Sequence, residues 1–252
     1  MEHDKLLNLG TELGKRLMYS GAEIHRVEES VTRLLTAYGV DIQVFAIPTC
    51  LIVSVNTPDG TPLTRMCRIP AHGTDIELLE RCNSLCRQLC RDPIPVDEAL
   101  AQVDQLISNA RTFSPKVVLG GYVAAAAFFA LFFGGSLRDF LAAALCGLAV
   151  GSILLFGQRL TGSNIFFRTV VCAAVVSASA RILTWAGLGQ NVDIVTIGPL
   201  MLLVPGMALT NAMREIMAGD VTSGLNRTAE VILVATAIAI GTAIPLLVVG
   251  LH

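Results

Sequence analysis

Two groups of residues in this 252-residue chain have types and spacings that could do chemistry. The first is compact: Glu23, His25 and Glu28 lie close together with Arg26 and Glu29, while Thr49 and Cys50 supply a hydroxyl and a thiol further on. A carboxylate, an imidazole and a nucleophile are the parts of a hydrolytic site, provided the base reaches the nucleophile. On one helix, however, Glu23 and His25 point about 200° apart, so His25 is expected to pair with Glu28 or Glu29 and not with Glu23. Neither a nucleophile elbow nor a Cys-His signature or metal-ligand spacing accompanies them. A solvated His-Glu pair on a helix surface is the simpler reading.

The second group stands in an apolar background: Pro199, Pro205-Gly206, Thr210-Asn211, Arg214-Glu215, Asp220 and Glu230. Pro205 removes a backbone donor and Gly206 loosens the next turn, which predicts a kinked or broken helix. Broken helices at membrane depth are tolerated where the freed groups face protein or water, and in transporters they form substrate sites. A packing kink is the alternative. In the substrate reading, the interrupted helix offers N–H groups and its dipole to a carboxylate, and Thr210 and Asn211 add neutral donors and acceptors. Arg214 adds a positive charge one turn further on. Glu230 or Asp220 could accept an ammonium group or pass a proton at the cytoplasmic mouth.

The elements that must position these groups follow from composition. The chain is 53% hydrophobic and 15% charged, with a mean hydropathy of +0.65, against about 25% charged in a typical soluble domain. Residues 1–116 carry 12 Lys/Arg and 15 Asp/Glu, and residues 117–252 carry 6 and 5. The second half therefore reads as membrane. A net charge of −2 lacks the basic excess that nucleic-acid binding needs, so nucleic acid is not an expected partner.

Residues 1–115 are expected to form an ααβββαα domain. Leu6, Leu9, Leu13 and Leu17 make a helical stripe interrupted by Gly10 and Gly14, which implies close approach by a neighbour. Ile24, Val27, Val31, Leu34 and Leu35 mark a second helix ending at Gly39. Alternating segments at 41–47, 50–56 and 61–69, with a Pro58-Asp59-Gly60 turn, predict an antiparallel meander. Helices over about 75–91 and 96–111 complete the unit. Cys82, Cys86 and Cys90 share a face with Leu85 and Leu89 and read as core packing, with no metal site expected.

Residues 116–252 hold five segments near the ~20 apolar residues a membrane helix needs: 117–134, 138–157, 165–187, 193–213 and 227–250. Small residues, as in Gly147-x-x-x-Gly151, allow close helix packing. Arg111, Lys116, Arg159, Arg168, Arg214 and Arg227 fall on one side of these spans and Arg138 on the other. The positive-inside rule then puts the N-terminal domain in the cytoplasm and His252 outside. The first five residues have no basic run leading into an apolar stretch, which predicts no cleaved signal.

Three stretches resemble one known family. The run from Val204 to Arg227 (VPGMALTNAMREIMAGDVTSGLNR) is similar to the membrane signature of the threonine/serine exporter family. Ser20 to Glu29, containing Gly21, Glu23, His25, Arg26 and Glu28, resembles its cytoplasmic signature, as does Phe45 to Val55 with Pro48 and Thr49, although Cys50 stands where members typically have glycine. The resemblance implies an α-helical membrane protein with a cytoplasmic α+β domain, resident in the cell's inner membrane. It implies a secondary exporter of small hydrophilic metabolites, either threonine and serine or succinate-type dicarboxylates, without a cofactor but with scope for proton coupling. Members carry about twice as many spans as this chain. The implied partners are therefore the lipid bilayer, a small-molecule substrate, and a short second membrane subunit, a further copy, or both. On this reading Pro205, Gly206, Thr210 and Asn211 line the substrate path, with Arg214, Asp220 and Glu230 at its mouth. Two other readings are a membrane-tethered hydrolase and a sensor or assembly domain on a membrane anchor.

Overall fold

A computed structural model describes residues 2–57, 60–70, 73–108, 113–157 and 164–249. Its elements are α1 (Glu2–Tyr19), α2 (Ile24–Ala37), β1 (Ile42–Ile47), β2 (Cys50–Asn56), β3 (Pro62–Arg68), α3 (Ile76–Arg91) and α4 (Val96–Ser108). There follow α5 (Pro115–Phe132), α6 (Leu137–Phe156), α7 (Ile165–Trp185), α8 (Val192–Leu200), α9 (Gly206–Met217) and α10 (Val221–Val249). The chain divides into two compact units, Met1–Arg111 with Thr210–Thr228, and Thr112–Leu209 with Ala229–His252. The expected two-part division had not assigned residues 210–228 to the N-terminal part. Pro58, Asp59, Arg111, Arg159 and His252, which the sequence reading used, lie outside the described residues.

In the first unit the three strands form an antiparallel sheet in the order β1-β2-β3. Alternation sends Leu51, Val53 and Val55 inward, onto the leucine stripe of α1 and the apolar face of α2. The glycines of α1 mark that contact: a Cβ on Gly14 would lie 2.5 Å from Leu51 Cδ2, and one on Gly10 2.7 Å from Leu35 Cδ1. Pro48 and Thr49 make a two-residue turn that sets Ile47 opposite Cys50. Among the described residues no non-glycine has positive φ, so Cys50 sits in ordinary extended backbone and needs no glycine there. Cys82 and Cys86 are core residues, and burial pushes their thiols up to about 11 and about 12.

Residues 210–228 complete this unit as a helical hairpin. At the end of α9, Asp220 N donates to Glu215 O at 2.9 Å and Gly219 N to Ile216 O at 3.1 Å, a Schellman arrangement with Gly219 at φ +97°. Gly224 N then donates to Asp220 O, starting α10 directly after the turn.

In the second unit, four helices among the described residues are long and apolar enough to cross a membrane: α5, α6, α7 and the stretch of α10 to Leu247. The fourth expected span, 193–213, is interrupted, as its prolines predict. Helix α8 stops at Leu200, residues 201–203 form turns, and α9 begins at Gly206. Pro205 cannot donate a helical hydrogen bond and disfavours helix in the residue before it, but it fits at a helix start, where Leu209 N reaches its carbonyl at 3.0 Å. Close packing of α5 on α6 runs through Gly147 and Gly151, where an added Cβ would come within 2.6 Å of Ala126 Cβ and 2.8 Å of Leu119 Cδ1. Ala142 and Cys146 of α6 pack with Ala180 of α7 and Val195 of α8 in a small buried cluster.

Candidate functional site

The polar centre of the first unit is assembled from residues 21–28 and from the α9–α10 hairpin. Gly21 ends the turn after α1 at φ +92°, and an added Cβ there would meet Gly73 O at 2.7 Å. Only glycine fits, and the extended residues that follow lead into α2 at Ile24. Glu215 of α9 is 0% exposed. Its Oε1 accepts a hydrogen bond from Ile24 N at 3.3 Å and lies 3.1 Å from Arg227 Nε, while Arg227 Nη2 donates to Ala22 O at 3.1 Å. The other carboxylate oxygen, Oε2, is buried without a hydrogen-bond partner among the described residues. Burial holds the Glu215 carboxyl above its ordinary range against the opposing pull of Arg227 and the Ile24 amide, and Asp220 and Glu23 push the same way as burial.

Beside this pair, Asn211 Nδ2 donates to Gly21 O at 3.5 Å, and Arg214 Nη1 donates to Glu23 Oε1 at 3.0 Å. Glu23 Oε2 in turn faces His25 Nε2 at 3.5 Å and Arg26 Nε at 3.7 Å. The expected exclusion of a Glu23–His25 pair is thus corrected. Glu23 is not helical but the N-cap of α2, at φ −67° and ψ 138°, so its side chain swings clear of the helical arrangement and meets His25. Glu28 Oε1 accepts from Ala46 N at 2.7 Å, tying α2 to β1. Burial raises its carboxyl too; the Ala46 amide opposes this, Asp220 adds to it, and His25 opposes it.

The structure therefore brings Gly21, Glu23, His25, Arg26, Asn211 and Arg214 together, with Glu28 and Asp220 near enough to influence one another. It places Pro48 and Thr49 in the β1–β2 turn, and Thr49 O accepts from Ile69 N at 2.9 Å. Among the described residues neither Thr49 nor Cys50 hydrogen-bonds to His25, whose Nδ1 is buried without a partner. Of the remaining expected site residues, Thr210 lies in α9 within the first unit, whereas Pro205, Gly206 and Glu230 belong to the second.

Sequence reasoning noted Glu215 among the polar positions of its segment but gave neither it nor Arg227 a place in the substrate path. The usable signal was position: Glu215 follows Asn211 by one helical turn on the side of α9 that buries Ala212, where an ionised residue is expensive unless paired. Arg227, which the sequence presents only as a flanking charge, finds its carboxylate in Glu215.

A second buried acid stands in the other unit. Asp139, 2% exposed, accepts from Ser136 N at 2.9 Å and Ser136 Oγ at 2.8 Å, closing a capping box at the start of α6. Its other oxygen accepts from Gln190 N at 2.7 Å and Asn191 N at 2.9 Å. All four contacts come from dipoles within its own unit.

Comparison with known proteins adds a family. Residues 8–249 match the family model described as "Putative threonine/serine exporter". Curated relatives include Pheromone-regulated membrane protein 10 of Debaryomyces hansenii, 27% identical over 219 residues, which is 83% of this chain and 21% of that protein. The protein of the same name from Saccharomyces cerevisiae is 25% identical over 221 residues, 84% of this chain and 28% of the relative. The chain thus spans well under a third of the length of these relatives. No solved structure matches it.

Proposed function

The chain belongs to the threonine/serine exporter family, a family of membrane transporters, and from that premise we propose that it is one component of an exporter of threonine- and serine-type amino acids. Its working partner is a second, short membrane subunit. The first unit faces the cytoplasm of the inner membrane and the C-terminus faces outward, in accord with the flanking Lys/Arg residues. Pro205 and Gly206 line the substrate path among the membrane helices, with Glu230 at its mouth. Thr210, Asn211, Arg214 and Asp220 belong to the polar hairpin that follows the break.

The observation that carries the mechanism is the state of Glu215: fully buried, paired with one arginine, and with one oxygen unpartnered. A carboxyl so placed ionises more readily while Arg227 stays beside it and holds a proton more readily when that arginine withdraws, which is what coupling export to inward proton flow requires. Arg214, the cation that would suit a dicarboxylate, is engaged by Glu23, which favours amino acids over succinate. A hydrolytic reading lacks support because no nucleophile among the described residues is joined to His25.

The test is efflux of threonine, serine and succinate from loaded cells expressing this chain with its candidate partner. Glu215→Gln is expected to leave membrane insertion normal while flattening the pH dependence of threonine efflux. Glu230→Gln should weaken efflux, and Asn211→Leu should abolish it. Efflux unchanged in all three variants, or succinate efflux exceeding that of threonine, would overturn the proposal.

A further inference from the structure

A cleft of about 310 Å³ opens between α2 and α3 in the first unit and shares no lining residue with the Glu215 centre. Its walls carry Arg33, Ser30 and Glu29 from α2 and Asn83, Arg87 and Arg91 from α3. Asn83, Arg87 and Arg91 recur every four residues and so stand one above another on a single ridge. Arg33 is neutralised by Glu29 through an ion pair. Arg87 and Arg91 have no acidic partner among the described residues, and like charges at this spacing repel.

That arrangement is exceptional within the unit. Arg16, Arg26, Arg65, Arg81, Arg214 and Arg227 each face a carboxylate. Of the described arginines there, only Arg68 joins Arg87 and Arg91 in lacking one. Two unpaired arginines facing the same cleft leave an electrostatic vacancy for an anion. The Cys86 thiol at the cleft donates to Ser30 O at 3.5 Å and stays protonated through burial, so it adds no negative charge.

We propose that this cleft binds the phosphate group of a small phosphomonoester. Guanidinium groups present paired N–H donors that match phosphate oxygens, and the Asn83 amide and Ser30 hydroxyl provide further donors on both walls. A tetrahedral group with acceptors on every side uses donors from two helices better than a planar carboxylate does. The volume lies at the small end of the usual range of ligand sites, about 300–1,000 Å³, which limits the ligand to a compact metabolite. The inference is independent of the transported substrate.

The experiment is calorimetric titration of the purified full chain in detergent at fixed ionic strength, with glycerol 3-phosphate as probe and inorganic phosphate and succinate as comparisons. Saturable binding of glycerol 3-phosphate is expected, with succinate at least tenfold weaker. Arg87→Gln combined with Arg91→Gln should weaken it at least tenfold without lowering the ligand-free melting temperature, because no ion pair is lost. Arg68→Gln should leave it unchanged. Should the double variant fail to fold, Arg87→Lys, which keeps the charge but loses the paired donors, is expected to bind several-fold more weakly. The proposal is overturned by absence of saturable binding, by equal binding of succinate, by an equal loss in Arg68→Gln, or by unaltered affinity in Arg87→Lys.

Discussion

Among the described residues each unit buries one carboxylate almost completely, and the two units do so in opposite ways. Asp139 is surrounded by four donors, three backbone N–H groups and one hydroxyl, and every one is fixed by a helix start or a loop. Glu215 has one long amide contact, one arginine and an oxygen without a partner. Dipoles held by backbone geometry keep a charge in place permanently, as in a helix cap. A lone counter-ion does so only while it remains. Asp139 therefore acts as a fastening between the start of α6 and the loop before α8, whereas Glu215 is built to respond to the position of Arg227.

The comparison is most directly broken by removing one partner from each site. Arg227→Leu leaves Glu215 buried and uncompensated, a situation that costs about 3–5 kcal/mol. The expected outcome is a large fall in the unfolding midpoint of the purified chain, recovered in good part by adding Glu215→Leu, because two apolar groups need no compensation. Failure of the second substitution to recover stability would show that Arg227 matters through Ala22 O and not through the acid. Asp139→Asn turns an N–H donor towards two other donors, at a cost of roughly 2–3 kcal/mol. No second substitution at a cation should rescue it, since none holds Asp139. Thermal unfolding of single and double variants reads both.

Much of the first unit was legible because its signals are local. The broken leucine stripe of α1 announced that something presses on Gly10 and Gly14, and the structure puts Leu35 and Leu51 there. Pro205 announced the break before α9. The polar centre was not legible, because its halves lie about two hundred positions apart and no periodicity links Ile24 to Glu215. The Glu23–His25 contact was missed for a different reason: helical geometry was applied to a residue that precedes the helix. Asp139 could have been found from Ser136-Leu137-Arg138-Asp139, a capping-box spacing, but its partners at Gln190 and Asn191 come from a loop that no local rule places beside it.

Acidity gives a third way to sharpen the contrast. Glu28 and Glu215 have carboxyls raised above the ordinary value of 4.5, chiefly by burial. The folded first unit then holds protons that the unfolded chain has released, so its stability falls as pH rises from about 4.5 and levels off once the folded carboxyls have ionised. Urea unfolding of the full chain between pH 4 and pH 8, followed by a probe in the first unit, should show that downward slope. Glu28→Gln and Glu215→Gln should each reduce it, and a slope that rises with pH in the wild-type chain would contradict the burial argument.

The smallest expected effects concern the two glycines that shape the Glu215 centre. Both Gly21, at φ +92°, and Gly219, at φ +97°, lie in the left-handed region, where a side chain costs about 1–2 kcal/mol. They differ in their surroundings: an added Cβ at Gly219 meets nothing within 4 Å, whereas at Gly21 it meets the Gly73 carbonyl oxygen at 2.7 Å. Gly219→Ala should therefore lower stability by about 1 kcal/mol through backbone strain alone. Gly219→Asn should lose less than that, since asparagine tolerates this conformation at helix ends. Gly21→Ala must in addition part Gly21, whose own carbonyl Asn211 reaches, from the Gly73 backbone, so its loss should exceed that of Gly219→Ala, and Gly21→Asn should give no relief. Equal losses at the two positions, measured as unfolding midpoints in one buffer, would mean that the loop before α2 yields to the added atom and does not hold Glu23 and Ile24 rigidly towards the hairpin.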